Sequence, residues 1–176
     1  INVVLTREPG GTPMAEAIRE CVKHDWQDEK VTEQTELLLM YAARSQLVEN
    51  TIKPQLALGN WVIGDRHDWS SLAYQGGGRQ VNQSHLMAIR ELTLQGFTAD
   101  LTLYLDIDPA VGLERARSRG ELDRIEQSGL AFFERARATY LQLVAEHDEA
   151  VFVDASQGVE QVKETVIHHI QHFLQD

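Results

Sequence analysis

The sequence predicts a three-layer α/β domain with a parallel sheet, and two observations carry that expectation. Four short apolar runs each end abruptly in polar or charged residues, as buried parallel strands do where their carboxyl ends face a ligand. Between them, apolar residues recur every three or four positions, the spacing of helices that cross over from one strand to the next. The organising run is Trp61-Val62-Ile63-Gly64, which leads into Asp65, Arg66 and His67. Ile1 to Leu5 runs into Thr6, Arg7 and Glu8; Leu101 to Leu105 into Asp106, Ile107 and Asp108; Ala150 to Val153 into Asp154, Ala155 and Ser156.

The helices follow in order. Thr12 suits a cap and Pro13 a first helical turn, so a helix runs to about His24 with Met14, Ala17, Ile18, Cys21 and Val22 on one face. Asp25 to Lys30 is a polar break. A longer helix spans about Thr32 to Ile52, with a stripe of Leu37, Met40 or Tyr41, Arg44, Leu47 or Val48, and Ile52. Arg44 lies inside that stripe, and a guanidinium on a buried face is unfavourable unless acceptors meet it. It either pairs internally or waits for a ligand. Lys53-Pro54 bends or caps this helix before the second strand.

Gly76-Gly77-Gly78 follows that strand, giving the backbone freedom to bend sharply or move; glycines alone read as a surface turn. A helix from about Asn82 to Gln95 turns Leu86, Ile89, Thr93 and Leu94 inward. Asp108-Pro109 opens the next, which carries Arg115, Arg117 and Arg119 into Gly120; Glu121 to Glu126 connects to a helix over about Leu130 to Glu146. By charge pattern alone the mixed signs around these arginines describe a solvated face. The last helix covers about Val159 to Leu174. His168 and His172 stand four apart on it, but no third ligand lies near, so no metal site is expected there.

Composition narrows the function classes. A chain of 176 residues, 43% hydrophobic, fits one domain over 1–176. A net charge of -11 excludes a non-specific nucleic-acid surface or an anionic-membrane surface, so any phosphate must be held locally. Four lysines stand against twelve arginines, a bias toward the planar fork that suits phosphate and carboxylate. The single Cys21 excludes an intrachain disulfide and fits a reducing, cytoplasmic setting. No apolar run approaches the ~20 residues of a membrane span. The chain opens on a strand at Ile1 rather than on Met, so its amino terminus is expected to be incomplete.

Acids and arginines at strand ends, with a separate arginine-rich segment, suit phosphoryl transfer, which needs positioned phosphates, magnesium and positive groups more than a strong base. Asp65 is placed to hold a magnesium-bound water and Arg66 to reach a substrate phosphate. The strong signal for a triphosphate, G-x-x-x-x-G-K-[ST], is missing, since no Gly-Lys pair occurs.

Five segments taken together resemble the bacterial thymidylate kinases: Thr6 to Thr12, Tyr41 to Arg44, Gly64 to His67, Tyr74 to Arg79, and Arg117 to Glu126. They stand in the family's order and spacing across essentially the whole chain. The resemblance implies a P-loop nucleoside-monophosphate kinase fold, with five parallel strands of which four are visible here, and a small mobile lid over about 115–127. It implies transfer of phosphoryl from ATP to dTMP, giving ADP and dTDP for dTTP synthesis, with Mg2+ and a homodimer. In the family a phosphate-binding loop precedes the Thr6 segment, and its strand lies mid-sheet. Without that strand two inner edges would stand unpaired, so about 30 residues are expected before Ile1.

The residue roles below are implied by the same resemblance. Arg7, Arg44 and Arg66 surround dTMP, with Arg66 nearest its phosphate and Arg44 at the thymine carbonyl edge. Ser71 and Tyr74 contact base and deoxyribose, Gln75 assists, and Glu8 orients Arg7 or a magnesium water. Asp65 and Arg66 act at the transfer itself, Asp65 holding the metal through water. Arg119 and Arg124 stabilise the transferring phosphoryl, and Arg115 and Arg117 support them over ATP. Asp154, Ala155 and Ser156 lie beside adenine. Met40 stands where the family usually stacks a phenylalanine on thymine, which lowers affinity or selectivity over dUMP. Alternatives are a kinase for another nucleoside monophosphate, or a nucleotide-binding protein without catalysis if the phosphate loop is truly absent.

Overall fold

The structure is a computed structural model and describes residues 2–175. Ile1, which the sequence puts in the first strand, lies outside them. All four apolar runs are strands: β1 (Val3–Arg7), β2 (Trp61–Asp65), β3 (Thr102–Asp106) and β4 (Ala150–Asp154). β1 pairs with β2 in parallel, Val3 opposite Trp61 and Arg7 opposite Asp65. β3 pairs with β4 in parallel, Thr102 opposite Ala150 and Asp106 opposite Asp154. The four strands thus form two parallel pairs, and no described strand joins them. Strand alternation turns Val62 toward the helices and Leu5 the other way, where it is 76% exposed. Ile63, Leu105 and Phe152 are exposed as well, so these runs are buried on one face only.

Helix α1 (Pro13–Lys23) starts as expected, the Thr12 hydroxyl accepting from the Ala15 amide at 3.2 Å. Its buried residues are Ala15 and Val22, while Met14, Ala17 and Cys21 are exposed, so its inward face is turned from the one the sequence suggests. The helix packs on α2 (Glu33–Leu47), and this narrow stripe is its buried face. Thr32 caps α2, accepting from Thr35 at 3.1 Å. The helix then widens into a π-helical turn, Val48–Ile52, before α3 (Lys53–Ala57). Two apolar clusters meet α2. Leu47, Val48, Ile52 and Leu94 pack under Val62 and Phe97, and Leu37, Tyr41 and Leu86 pack under Leu72, Val81 and Ile89. The helix α5 (Gln83–Leu94) contributes to both.

After β2 come α4 (Asp68–Ser71) and a π-helical segment, Leu72–Gly78, which lies against α7 (Leu130–Glu146). The three glycines serve close packing here rather than bending. A Cβ on Gly77 would stand 2.2 Å from the Thr139 hydroxyl, and one on Gly78 2.4 Å from the Phe132 ring. Arg135 fixes the same turn, donating to the Gly77 carbonyl at 3.3 Å and the Gly78 carbonyl at 2.6 Å. Asp108 caps α6 (Pro109–Arg119), a 3-10 turn covers Glu126–Ser128, and α8 (Val159–Phe173) closes the chain. Among the described residues no helix is long and apolar enough to cross a membrane.

Gly78→Ala is expected to overpack the Phe132 contact and cost about 1–3 kcal/mol. Urea unfolding of the variant beside wild type measures it.

Candidate active site

Residues four apart on a helix share a face, so Glu36, Met40 and Arg44 line one side of α2. All three are buried, Arg44 and Glu36 to 1% exposure. Burying two opposite charges two turns apart is tolerated only because each has its own partners, and these come from different parts of the chain.

Arg44 is met at the carboxyl ends of β1 and β2. Its Nε donates to Glu8 Oε2 at 2.7 Å and its Nη2 to the His67 carbonyl at 3.2 Å, while Nη1 lies 3.8 Å from Asp68 Oδ1. The guanidinium also sits over the Tyr41 ring, 4.5 Å from its centre. His67 Nδ1 and Glu8 Oε1 are 2.7 Å apart, and because an ionised carboxylate only accepts, the imidazole is the donor. Asp68 takes the Tyr41 hydroxyl at 2.9 Å and an ion pair from Arg90. Burial opposes ionisation of Glu8, but the Arg44 charge and the His67 bond outweigh it and hold the carboxyl below its usual range. One atom of this network is left over. Arg44 Nη1 is shielded from solvent and has no hydrogen-bond partner among the described residues.

Glu36 anchors a second network. It accepts from Gln75 Nε2 at 2.9 Å, from Arg79 Nε and Nη2 at 3.1 Å each, and it pairs with Arg124 Nη2 at 2.8 Å. Here too burial pushes the carboxyl up, but Arg79, Gln75 and Arg124 together hold it below the usual range. Arg79 lies over the Phe132 ring at 4.6 Å. Gln75, fully buried, keeps an unpartnered Oε1, and buried Ser71, between Asp68 and Gln75 along the chain, keeps an unpartnered Oγ.

Other expected residues divide into those the fold gathers and those it keeps apart. Arg66 follows β2 with φ of 69° and lays its guanidinium over the Tyr74 ring at 5.1 Å. Tyr74 is wedged edge-on against Phe132, Phe133 and Tyr140 of α7. Asp65 is exposed at the end of β2, and its carboxylate takes no hydrogen bond among the described residues. Two expectations are corrected. Glu8 does not orient Arg7: both its oxygens are taken by Arg44 and His67, and exposed Arg7 forks onto Glu16 at 3.1 and 2.8 Å. Arg124 does not stand with the lid arginines. It donates to the Val22 carbonyl at 2.8 Å and pairs with Glu36, because Lys23 ties neighbouring Asp123 down at 2.8 Å.

The segment expected to form a lid is therefore two unlike halves. Arg115, Arg117 and Arg119 are exposed on the last turns of α6, and Arg119 is 3.5 Å from Glu126. Residues 122–127 are tethered to α1 and α2 instead. At the far strand pair, Asp154 closes its own turn on the Ser156 amide at 2.9 Å, and Ala155 donates to the Asp106 carbonyl at 2.8 Å. Tyr41 is committed to Asp68 and Arg44, so it cannot stand in for an aromatic ring at Met40. Among the described residues no three acidic, histidine or cysteine side chains gather as a metal cage.

A family model for thymidylate kinase matches residues 1–166. A thymidylate kinase of Alteromonas mediterranea is 66% identical over 175 residues, covering 99% of this chain and 78% of that protein. The chain belongs to the thymidylate kinase family. Sequence reasoning expects Arg44, Ser71, Tyr74 and Gln75 at a site but gives no role to Glu36, Asp68, His67 and Arg90, which the structure joins to Gln75, Tyr41, Glu8 and Asp68. For Glu36 a signal existed, since it lies four and eight residues before Met40 and Arg44 on the buried face.

Both acids have folded-state values below the ordinary 4.5, so the stability they contribute is present in full above that pH and is lost as pH falls through the folded values. Glu8→Gln removes the nearer charge partner of buried Arg44, leaving only Asp68 at 3.8 Å, and is expected to lose about 3–5 kcal/mol near neutral pH. Urea unfolding across the acid range should also show a flatter decline for the variant.

Proposed function

We propose that the ends of β1 and β2, with the facing side of α2 and the Asp68–Gly78 segment, form the dTMP side of the active site. The reaction is that of the thymidylate kinases, transfer of the γ-phosphoryl of ATP to dTMP, giving dTDP and ADP. The observation that carries the assignment is Arg44. A guanidinium held only for structure would have every donor satisfied, yet Nε and Nη2 are hydrogen-bonded while buried Nη1 has only the 3.8 Å ion pair with Asp68 and no hydrogen bond. An unpaired buried donor costs about 1–3 kcal/mol, an expense that a thymine carbonyl oxygen entering the site would remove.

Arg66 then binds the dTMP phosphate and Tyr74 orients it, while Ser71 supplies a hydroxyl to the nucleoside. Arg7 adds positive potential at the same strand end. The exposed lid arginines Arg115, Arg117 and Arg119 close over ATP, and Arg119 meets the transferring phosphoryl. The turn of Asp154, Ala155 and Ser156 borders adenine. Mg2+ characteristically keeps several waters and takes one or two carboxylates beside substrate phosphates, and Asp65, exposed and unbonded, suits that water-mediated role. The ion supplies charge neutralisation on the phosphate oxygens. Leu38, Met87 and Leu92 are exposed on the packed helices α2 and α5, which supports pairing of two copies, and lone Cys21 fits a cytoplasmic setting.

The test is ADP release by the full-length gene product with ATP and magnesium, comparing dTMP with dUMP, dCMP, dGMP and AMP. Turnover strongest with dTMP is expected; dTMP binding without ADP release would overturn the kinase assignment. Met40 is buried at the base position and stacks less rigidly than a ring. Met40→Phe is expected to lower the KM for dTMP severalfold, in keeping with the roughly 0.5–1.5 kcal/mol of an aromatic pair. Sedimentation of the wild type as a monomer at micromolar concentration would remove the dimer.

A further inference from the structure

We propose that Tyr140 and Phe133 of α7 are positioning residues for the phosphate arginine: they hold the ring of Tyr74 as a seat for Arg66 that steadies the guanidinium without cancelling its charge. This rests on the assignment of Arg66 to the dTMP phosphate above. Other arginines around the site are steadied by carboxylates. Arg7 forks onto Glu16, Arg44 pairs with Glu8 and Arg90 with Asp68. A carboxylate fixes a guanidinium well, but it takes up donors and charge that a phosphate would use. Arg66 is held differently. It enters no ion pair among the described residues, and its guanidinium lies 5.1 Å from the centre of the Tyr74 ring. The face of a ring attracts a cation through its quadrupole and leaves the net charge in place. Arg66 is exposed, so that charge is open to a phosphate.

A seat serves only if it stays put, and α7 supplies that. Three of its rings stand nearly perpendicular to Tyr74, with centres 5.6 Å away for Phe132, 6.1 Å for Phe133 and 6.4 Å for Tyr140. Such edge-to-face contacts are the arrangement that ring quadrupoles favour. Tyr140 is itself fixed twice: its hydroxyl is 2.7 Å from Ser70 Oγ, and its ring stacks on Tyr104 of β3 at 4.8 Å. A chain of rings therefore runs from β3 through Tyr140 and Tyr74 to the arginine that follows β2, linking two strand pairs that no described strand joins. Arg66 also holds φ at 69°, a conformation that is costly for a residue with a Cβ and persists where the surroundings fix it. Phe132 is buried and carries Arg79 over its ring as well, so its loss would disturb the Glu36 network too. Phe133 and Tyr140 are the rings that report on Tyr74.

The experiment takes the full-length gene product without ATP and measures dissociation constants of dTMP and of thymidine, which lacks the phosphate, by calorimetry. Wild type is compared with Tyr140→Leu, Phe133→Leu and Tyr140→Phe, each checked for folding by circular dichroism. Removing a ring behind Tyr74 loosens the seat of Arg66, so the preference for dTMP over thymidine is expected to fall by about threefold or more in both leucine variants. Tyr140→Phe keeps the ring and loses only the hydroxyl, and its preference is expected to stay within about twofold of wild type. A merely structural α7 would weaken both ligands alike, and that result overturns the proposal. An unchanged preference in either folded leucine variant overturns it as well, as does a loss in Tyr140→Phe equal to that in Tyr140→Leu. Should Tyr140→Leu fail to fold, Phe133→Leu, at a half-buried position, decides by the same criterion. Wild type that binds dTMP no tighter than thymidine would overturn the phosphate assignment and the proposal together, whereas the variant results overturn the proposal alone.

Discussion

The site depends on two charges buried on one face of α2. Glu36 and Arg44 lie two turns apart, and neither could stay ionised in the interior without partners from elsewhere. Glu8 and His67 bring the ends of β1 and β2 to Arg44; Gln75, Arg79 and Arg124 bring the glycine segment and residues 122–127 to Glu36. Such pairs are weak evidence for stability, since apolar replacements often do as well. Their use is positional. They fix the distance along α2 between the strand ends and the glycine turn, and Met40 lies in that interval.

The two networks also differ in charge balance. Around Arg44, two carboxylates face two guanidiniums and an imidazole. Around Glu36, one carboxylate faces two guanidiniums. The Glu36 network leans positive in a chain whose net charge is -11, while around Arg44 the two carboxylates and two guanidiniums balance.

Much of the fold was legible because strands and caps are local. The runs at Val3, Trp61, Thr102 and Ala150 are strands, and Thr12, Thr32, Asn82 and Asp108 are caps as their chemistry suggests. Periodicity was less decisive for α1, where several small or apolar residues compete and packing against α2 chose Ala15 and Val22. Arg44 stood out because a guanidinium interrupts an apolar stripe. Glu36 did not, because an acid in the first turn of a helix already has an explanation in the helix dipole. Arg124 was misjudged for a related reason: charge spacing groups it with Arg119, while Lys23 and Val22, a hundred residues earlier, separate them. The glycine triplet looked like freedom, and its cause is the thickness of Phe132 and Thr139.

The reach of these bonds along the chain has a further consequence. The bond from Arg124 to Val22 spans 102 residues and that between His67 and Glu8 spans 59. Links of that range close large loops, and the entropy of closure is recovered only when the intervening structure is in place. No single helix or strand pair contains either network complete. Nucleotide affinity is therefore a property of the completed topology alone, and a bound nucleotide draws the chain toward that topology by mass action.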